Sequence, residues 1–353
     1  MNRAVITLPL SPRKYYELAR FTVPIIGDTL ASMLGANFYL GINALDSYHN
    51  RQKDLEEYLK VYAFFKLDGQ IWLDKLHQEE LLDLVEKLIS KGFIEERKIK
   101  SYTCACGIID MEEKNLATMN PNKRDFIMQD GKIICPHCKT ICTLTKKDAL
   151  VMNYAKIKNP QVTFMPDYLN KDAKTFKNML NNSYQVISRA RNTGISITYQ
   201  HKNYNIDIDF LWGLYLLLFK EPEKVVICGN HEIYQLYLVG LLEKSLREES
   251  KTVLVGTPFL TGLNALPSSI SSEEQLLVKK IGILMNIKWF RKEKEYENSI
   301  FKGIAKLPLE KKRELLYNLK EEIKVHQSLE EDLATAMKRF NMQEQLRILK
   351  RGK

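Results

Sequence analysis

Ala4-Val5-Ile6-Thr7-Leu8-Pro9-Leu10 is a short, nearly continuous apolar run, closed by Pro9 and Pro12. Such a run bounded by prolines suits a buried strand. Downstream, Val23 to Leu34 carries apolar residues at helical spacing, with Pro24 tolerable because it falls near the helix start. Gly35-Ala36-Asn37 supplies a break, and Phe38 to Ile42 reads as a second strand. Strand, helix and strand in that order begin a parallel α/β unit.

A second unit of the same kind lies far along the chain. Val225-Val226-Ile227 and Val253-Leu254-Val255 are buried-strand candidates separated by an apolar helix from Ile233 to Leu246. The two units read as one sheet split by an insertion. Within the gap, Gln52 to Lys100 is rich in Leu, Glu and Lys at helical periodicity, punctuated by Gly69 and Gly92, and Ala173 to Val186 has a polar helical pattern. The apolar stretch Phe210 to Phe219 reads as a buried helix. Beyond Ser268 the chain turns helical and charged, with amphipathic patterns over Leu307 to His326 and Leu329 to Leu349.

The 353 residues suffice for two or three domains with their own cores. Their 53 Lys+Arg against 43 Asp+Glu leave a formal net charge of +10, which suits contact with RNA phosphates but equally a soluble protein with no polyanionic partner. No stretch has the ~18 apolar residues of a membrane span, and the start of the chain lacks a secretory-signal pattern. No membrane partner and a cytoplasmic location are therefore expected.

Five of the six cysteines fall between Cys104 and Cys142, with Cys228 outside. In a reducing compartment such a cluster reads as a metal site before disulfides. Cys104-Ala105-Cys106 and Cys135-Pro136-His137-Cys138 form two close pairs, and tetrahedral zinc takes four soft ligands from two such turns. The second pair is a full Cys-x-x-Cys knuckle, whereas the first is one residue shorter and must turn more tightly. Cys142 and His137 are spare donors. Four thiolates leave no open coordination position, so the zinc is expected to be structural. The competing reading is unpaired surface thiols, or a ribbon that has lost its metal.

With this ribbon set inside a split α/β domain, the chain resembles the class I aminoacyl-tRNA synthetases, most of all the methionyl type. Ile25-Ile26-Gly27-Asp28-Thr29-Leu30-Ala31 resembles the helix that follows the family's His-Ile-Gly-His loop, and Leu88 to Glu95 the helix end before its zinc knuckles. Ile187-Ser188-Arg189-Ala190-Arg191-Asn192-Thr193-Gly194-Ile195-Ser196-Ile197 resembles the segment that re-enters the catalytic domain. Phe259-Leu260-Thr261 resembles the lead into the Lys-Met-Ser-Lys-Ser loop. These likenesses run in the family's order over about residues 4–272. They imply an α/β fold: a Rossmann-like parallel sheet split by a helical and zinc-ribbon connective insertion, with a short α-helical C-terminal tail. Residues 1–52 and 185–272 would be the two halves of the Rossmann-like domain. Residues 53–184 would be the connective insertion, with the ribbon at about 101–145, and 273–353 the helical C-terminal region.

The resemblance also implies where ATP would be handled, and there the residues differ. The His-Ile-Gly-His tetrad falls on Glu17, Leu18, Ala19 and Arg20, which puts an acid and an arginine in place of two phosphate-touching histidines. Lys-Met-Ser-Lys-Ser falls on Leu266, Pro267, Ser268, Ser269 and Ile270, without either lysine that steadies departing pyrophosphate. Lys279 and Lys280 follow, but in a helix rather than in the loop. The family's Gly-Thr-Asp-Glu-His-Gly falls on Gly41 to Asp46, so that Asn43 stands where an acid holds the amino acid's ammonium, with Asp46 near enough to substitute. Gly229-Asn230-His231 lacks the acid of the family's ribose-gripping Gly-Lys-Asp, with Glu232 adjacent.

Each candidate has a plainer reading beside it. Arg13 and Arg20 are phosphate contacts or surface residues, and His231 is a base or a turn histidine. Arg189 and Arg191 anchor tRNA phosphates or cap a buried strand. Tyr15, Tyr16, Trp72 and Trp212 belong to the core sooner than to a stacking platform. The helical tail is shorter than the bundle with which the family reads the anticodon, so direct anticodon reading is not expected.

Three functions compete. The leading one is a catalytically degenerate paralogue, a pseudoenzyme that binds tRNA, an aminoacyl-tRNA or a protein partner. The second is an active ATP-dependent ligase that forms an aminoacyl-adenylate with a phosphate clamp rebuilt from Arg13, Lys14 and Arg20. The third is a structural or regulatory subunit carrying a broad apolar surface patch. Structural zinc is the expected cofactor, and ATP enters with the second reading.

Overall fold

Ala4 and Val5 point to opposite faces of the first strand and both are fully buried, because helices cover each side of the sheet. The computed structural model describes residues 2–11, 18–45, 55–56, 59–60, 62–63, 65–106, 109–112, 127–157, 162–180, 184–190, 194–247, 251–263, 272–289, 293–324 and 328–340. Strand β1 (Arg3–Thr7) is followed by helix α1 (Thr22–Leu34), β2 (Asn37–Ile42), β3 (Gln70–Leu73) and α2 (Gln78–Ser90). Next come β4 (Ile94–Thr103), β5 (Asp110–Glu112), β6 (Ile127–Gln129), β7 (Lys132–Ile134) and β8 (Thr143–Asn153). The chain returns through β9 (Thr163–Met165), α3 (Leu169–Leu180), β10 (Tyr184–Val186), β11 (Ile195–Tyr199) and β12 (Lys202–Ile206). The second unit is α4 (Ile208–Tyr215), β13 (Glu223–Gly229), α5 (Ile233–Leu246) and β14 (Lys251–Thr257). Then follow β15 (Phe259–Thr261), α6 (Glu273–Asn286), β16 (Glu293–Glu295), α7 (Asn298–Ala305), α8 (Leu309–Lys320) and α9 (Leu329–Phe340).

The main sheet is parallel, in the order β3-β2-β1-β13-β14-β9. One set of alternating residues, Val5, Val225, Ile227, Val253 and Val255, packs against α1 and the helices from α6 onward. The other set, Ala4, Ile6, Val226, Cys228 and Leu254, packs against α2, α4 and α5. Two apolar faces per strand explain why these segments read as continuous apolar runs. The strand order reverses where β1 meets β13, and the carboxyl ends of this pair open the crevice in which such sheets bind ligands.

The stretch Gln52 to Lys100 is not helical throughout. Its Gln70–Leu73 segment is an edge strand of the main sheet and Ile94–Thr103 is a ribbon strand, so helix is confined within 70–103 to a short 3-10 turn and α2. Strands β3 and β9, both from residues 53–184, extend the sheet at its two edges. The helix expected over Ala173 to Val186 ends at Leu180, and Tyr184–Val186 pairs with β8 instead. The amphipathic C-terminal patterns form α8 and α9; His326 and residues 341–353 lie outside the described residues. Among the described residues no helix is long and apolar enough to cross a membrane.

Buried charge ties the terminal helices to the sheet. Arg3 donates through Nε to Glu223 at 2.7 Å and through a terminal nitrogen to Asp332 of α9 at 2.6 Å, with the Arg3 and Asp332 side chains 2% and 0% exposed. Lys320 of α8 reaches Asp28 of α1 at 3.0 Å and Asp68 at 2.7 Å. Lys280 of α6 donates to the Lys66 carbonyl at 3.0 Å; burial pushes its ammonium down to about 8, countered by Asp28 and reinforced by Lys320.

Two outcomes are expected. Removing one partner of a buried pair leaves the other charge uncompensated, so Asp332→Ala should cost about 3 kcal/mol of unfolding free energy in a urea titration. A loss below ~1 kcal/mol would show that Glu223 alone suffices for Arg3. For Lys280, folded chains bind fewer protons than unfolded ones between about pH 8 and the ordinary value of 10.5, so stability from this group rises with pH across that window. Lys280→Met should therefore raise the melting temperature most at pH 7, with the gain shrinking towards pH 10; a gain independent of pH would contradict this.

Candidate metal centre and sheet-end crevice

The ribbon is a long antiparallel pair, β4 with β8, registered from Ile94↔Met152 to Thr103↔Thr143. The knuckles sit at its far end. The second arises from the β6–β7 hairpin, whose Asp130-Gly131 turn has positive φ at both residues (49° and 71°), the conformation Asp-Gly favours in two-residue hairpin loops. After β7 the Cys135 amide donates to the Thr140 carbonyl at 3.0 Å and the Lys139 amide to the Cys135 carbonyl at 2.9 Å, closing the turn. In the first knuckle the Cys104 amide donates to the Ile109 carbonyl at 3.2 Å, and the Ile109 amide returns a bond to Cys104 Sγ at 3.2 Å.

These turns bring the Sγ atoms of Cys104, Cys106, Cys135 and Cys138 within 4.8 Å of one another. Cys104 and Cys106 are 3.2 Å apart and Cys106 and Cys135 3.7 Å. Four thiolates at 2.3 Å around a tetrahedral ion stand roughly 3.8 Å apart, so the set fits zinc after small side-chain rotations. Thr140 donates to Cys138 through its hydroxyl and its amide, which holds that thiol near 6, ready as a thiolate ligand. Cys104 and Cys135 are buried and Cys106 is exposed. Of the two spare donors, neither Cys142 nor His137 is among the four that converge. Cys142 is buried beside them, and burial together with the facing thiols pushes it up to about 11. A set of four cysteine ligands offers no open position, so a metal held here would brace the knuckles rather than activate a substrate.

Asp110, which the sequence did not single out, fastens the ribbon to the returning chain. It accepts from Ser101 Oγ at 2.6 Å, from the Ala190 amide at 2.7 Å, and from Lys147. Burial raises this carboxyl, but the three donors outweigh it and leave it below its ordinary value. Next to it Ser188 accepts from the Leu150 amide at 2.8 Å, and the Arg189 guanidinium lies 2.7 Å from buried Asp207 and 3.6 Å from Asp209.

At the crevice, several of the polar groups that follow the strands are engaged by the protein itself. Gly41 passes so close to β1 that a Cβ would meet the Thr7 carbonyl, Pro9 Cα and Tyr215 at 3.1 Å. Asn43 is buried; its amide donates to the Leu10 carbonyl at 3.0 Å and its side chain to Ser11 Oγ at 3.0 Å. Asp74 accepts from the Ala44 and Leu45 amides at 2.6 and 2.9 Å, a role that became visible only with the fold. Beyond β13, Gly229 leads into the 3-10 turn Asn230–Glu232 containing His231, and Asn230 donates to Tyr168 Oη at 2.9 Å. Leu18, Ala19 and Arg20 lie in the 3-10 turn Leu18–Phe21 ahead of α1, with Leu18 and Phe21 in the core. Among the described residues of this turn, of residues 8–11 after β1, of residues 43–45 after β2 and of the turn after β13, the charged side chains are Arg20 and Glu232. Lys279 and Lys280 are in α6, the latter turned inward to Lys66. Arg13, Lys14, Glu17, Asp46, Arg191, and Leu266, Pro267, Ser268, Ser269 and Ile270 lie outside the described residues.

Solved structures with a similar architecture include those of a methionyl-tRNA synthetase. Mycobacterium tuberculosis methionyl-tRNA synthetase in complex with methionyl-adenylate superposes with a TM-score of 0.62 at 11% identity, covering 87% of this chain and 69% of that one. The free form of the same enzyme superposes with a TM-score of 0.60 at 12% identity, covering 85% and 65%. No protein-family model matches the sequence, and no curated protein matches it. The chain therefore has a class I aminoacyl-tRNA synthetase-like fold. Within that class its fold is like that of methionyl-tRNA synthetase, at an identity that speaks for the fold alone.

For the metal centre, purified chain is expected to hold one zinc, and the double replacement Cys135→Ser/Cys138→Ser, which removes the second knuckle's two ligands, to abolish it. A chelator should lower the melting temperature of the native chain and leave the variant's unchanged, because only a ligand of the folded state stabilises it. Substoichiometric zinc with no chelator effect would favour the metal-free ribbon.

Proposed function

We propose that this chain is a methionyl-tRNA-synthetase-like protein that has lost aminoacyl-adenylate chemistry and works as a binding protein. Its ligand would be tRNA, an aminoacyl-tRNA or a protein partner. The observation that carries the reading is Asn43. The position where the family places an acid for the substrate ammonium holds a neutral amide, buried and bonded to Ser11. The missing lysines at Leu266 and Ser269 point the same way, since stabilising charge on a leaving pyrophosphate is worth on the order of several kcal/mol per donor. The surplus of ten positive charges is consistent with an RNA ligand without singling one out.

The active-ligase reading stays in view because Arg20 and Glu232 stand at the turn before α1 and the turn after β13, on opposite sides of the switch point. ATP–pyrophosphate exchange with methionine and the other amino acids separates the two. No exchange above background is expected, and bulk tRNA should raise the melting temperature in a salt-dependent manner. Exchange that Arg20→Ala abolishes would establish the ligase instead, and silence towards both ATP and tRNA would leave a protein partner.

A further inference from the structure

The ribbon buries a fifth thiol beside the four that converge. Cys142 packs in one small cluster with Cys104, Cys135, Ile109 and Ile133. Its position follows from strand pairing. The Cys142 amide donates to the Ile133 carbonyl at 2.8 Å, Ile134 bridges Ile141, and the Cys135 amide donates to the Thr140 carbonyl. Residues directly opposite share a face, so Ile133, Cys135 and Cys142 all point inward, while Ile141 points outward and is 56% exposed. Cys142 is thus the diagonal cross-strand neighbour of Cys135, with Cβ atoms about 7 Å apart or less. That gap is one that two cysteines reaching the same ion can close.

The other side of the tetrad is its weak corner. Cys106 is exposed, unlike Cys104, Cys135 and Cys138. It also belongs to a knuckle with only Ala105 between its two thiols, one residue short of the Cys-x-x-Cys loop that presents both to a metal without strain.

We infer that Cys142 is a reserve metal ligand: the ribbon holds its ion through Cys104, Cys135 and Cys138, with Cys106 and Cys142 exchanging as the fourth. In the exchange the Cys106–metal bond breaks and the Cys142–metal bond forms. Cys142 gives up its proton to solvent and the departing Cys106 thiolate takes one up from it, so the charge at the metal is unchanged. The ribbon then keeps its metal when its exposed thiol is blocked. This rests on the metal-centre reading above.

Cobalt(II) loading of the full chain tests it, because the thiolate-to-cobalt charge-transfer band scales with the number of sulfur ligands. Cys106→Ser should bind one cobalt with a band equal to that of the unaltered chain. Cys106→Ser/Cys142→Ser should lose about a quarter of the band and bind about ten-fold more weakly. A reduced band already in the single variant, equal to that of the double, overturns the inference while leaving the metal centre standing. No cobalt or zinc bound by the unaltered chain overturns both. Limited alkylation of the zinc-loaded, unaltered chain gives a reading free of folding effects: native mass spectrometry should find Cys106 modified first with zinc retained, and zinc lost at that step is the contrary result.

Discussion

The pairing of Arg3–Thr7 with Glu223–Gly229 is the constraint on which the molecule depends. It joins segments separated by 220 positions in sequence, so everything between must leave the sheet and come back to it. Closing so long a loop costs entropy that grows only slowly with its length, and the two-sided burial of Val5, Ile6, Val225 and Val226 offsets it. The same residue that starts this pairing, Arg3, also holds Glu223 and the C-terminal helix through Asp332. One buried guanidinium thus locks the first strand, the central strand and helix α9 together. The crevice at the switch point and the outlying ribbon both follow from that arrangement.

Much of this was legible in the sequence where the signal is local. The central strands are buried on both faces and read as unbroken apolar runs, and the helix Ile233–Leu246 was marked at both ends by the neighbouring strands. The two cysteine pairs were legible because their spacing is itself the signal. Strands β3 and β9 were not, being three or four residues long and set at the sheet edges with exposed positions. The carboxylates that organise the molecule were equally silent. Asp74 serves amides about 30 positions away, Asp110 an amide 80 away and Asp332 a guanidinium 329 away, and no local pattern announces such partners. The turn at Asp130-Gly131 is the opposite case, since an Asp-Gly pair is by itself a local signal for a two-residue hairpin loop.

The crevice and the ribbon differ in how their polar groups are used. In the ribbon, turns and amides aim four thiols at one point, an arrangement that makes sense around an ion. In the crevice, the Asn43 side-chain amide bonds Ser11, one Asp74 oxygen takes the Ala44 and Leu45 amides, and the Asn230 amide bonds Tyr168, so part of their hydrogen-bonding capacity goes into the walls. Adenylate chemistry needs groups of the opposite kind, held by the walls but pointed at the substrate, with cations over the leaving phosphates. The fold of a synthetase together with walls built in this way is what the proposed loss of activation rests on.

Direct binding of a non-hydrolysable methionyl-adenylate analogue to the full chain, followed by titration calorimetry, tests that account most directly. It asks about the crevice itself, independent of turnover. The account predicts no saturable heat with the analogue up to about millimolar concentration, where binding free energy falls to some 4 kcal/mol. Saturable, one-to-one binding in the micromolar range, weakened by Asn43→Ala or Glu232→Ala, would contradict it.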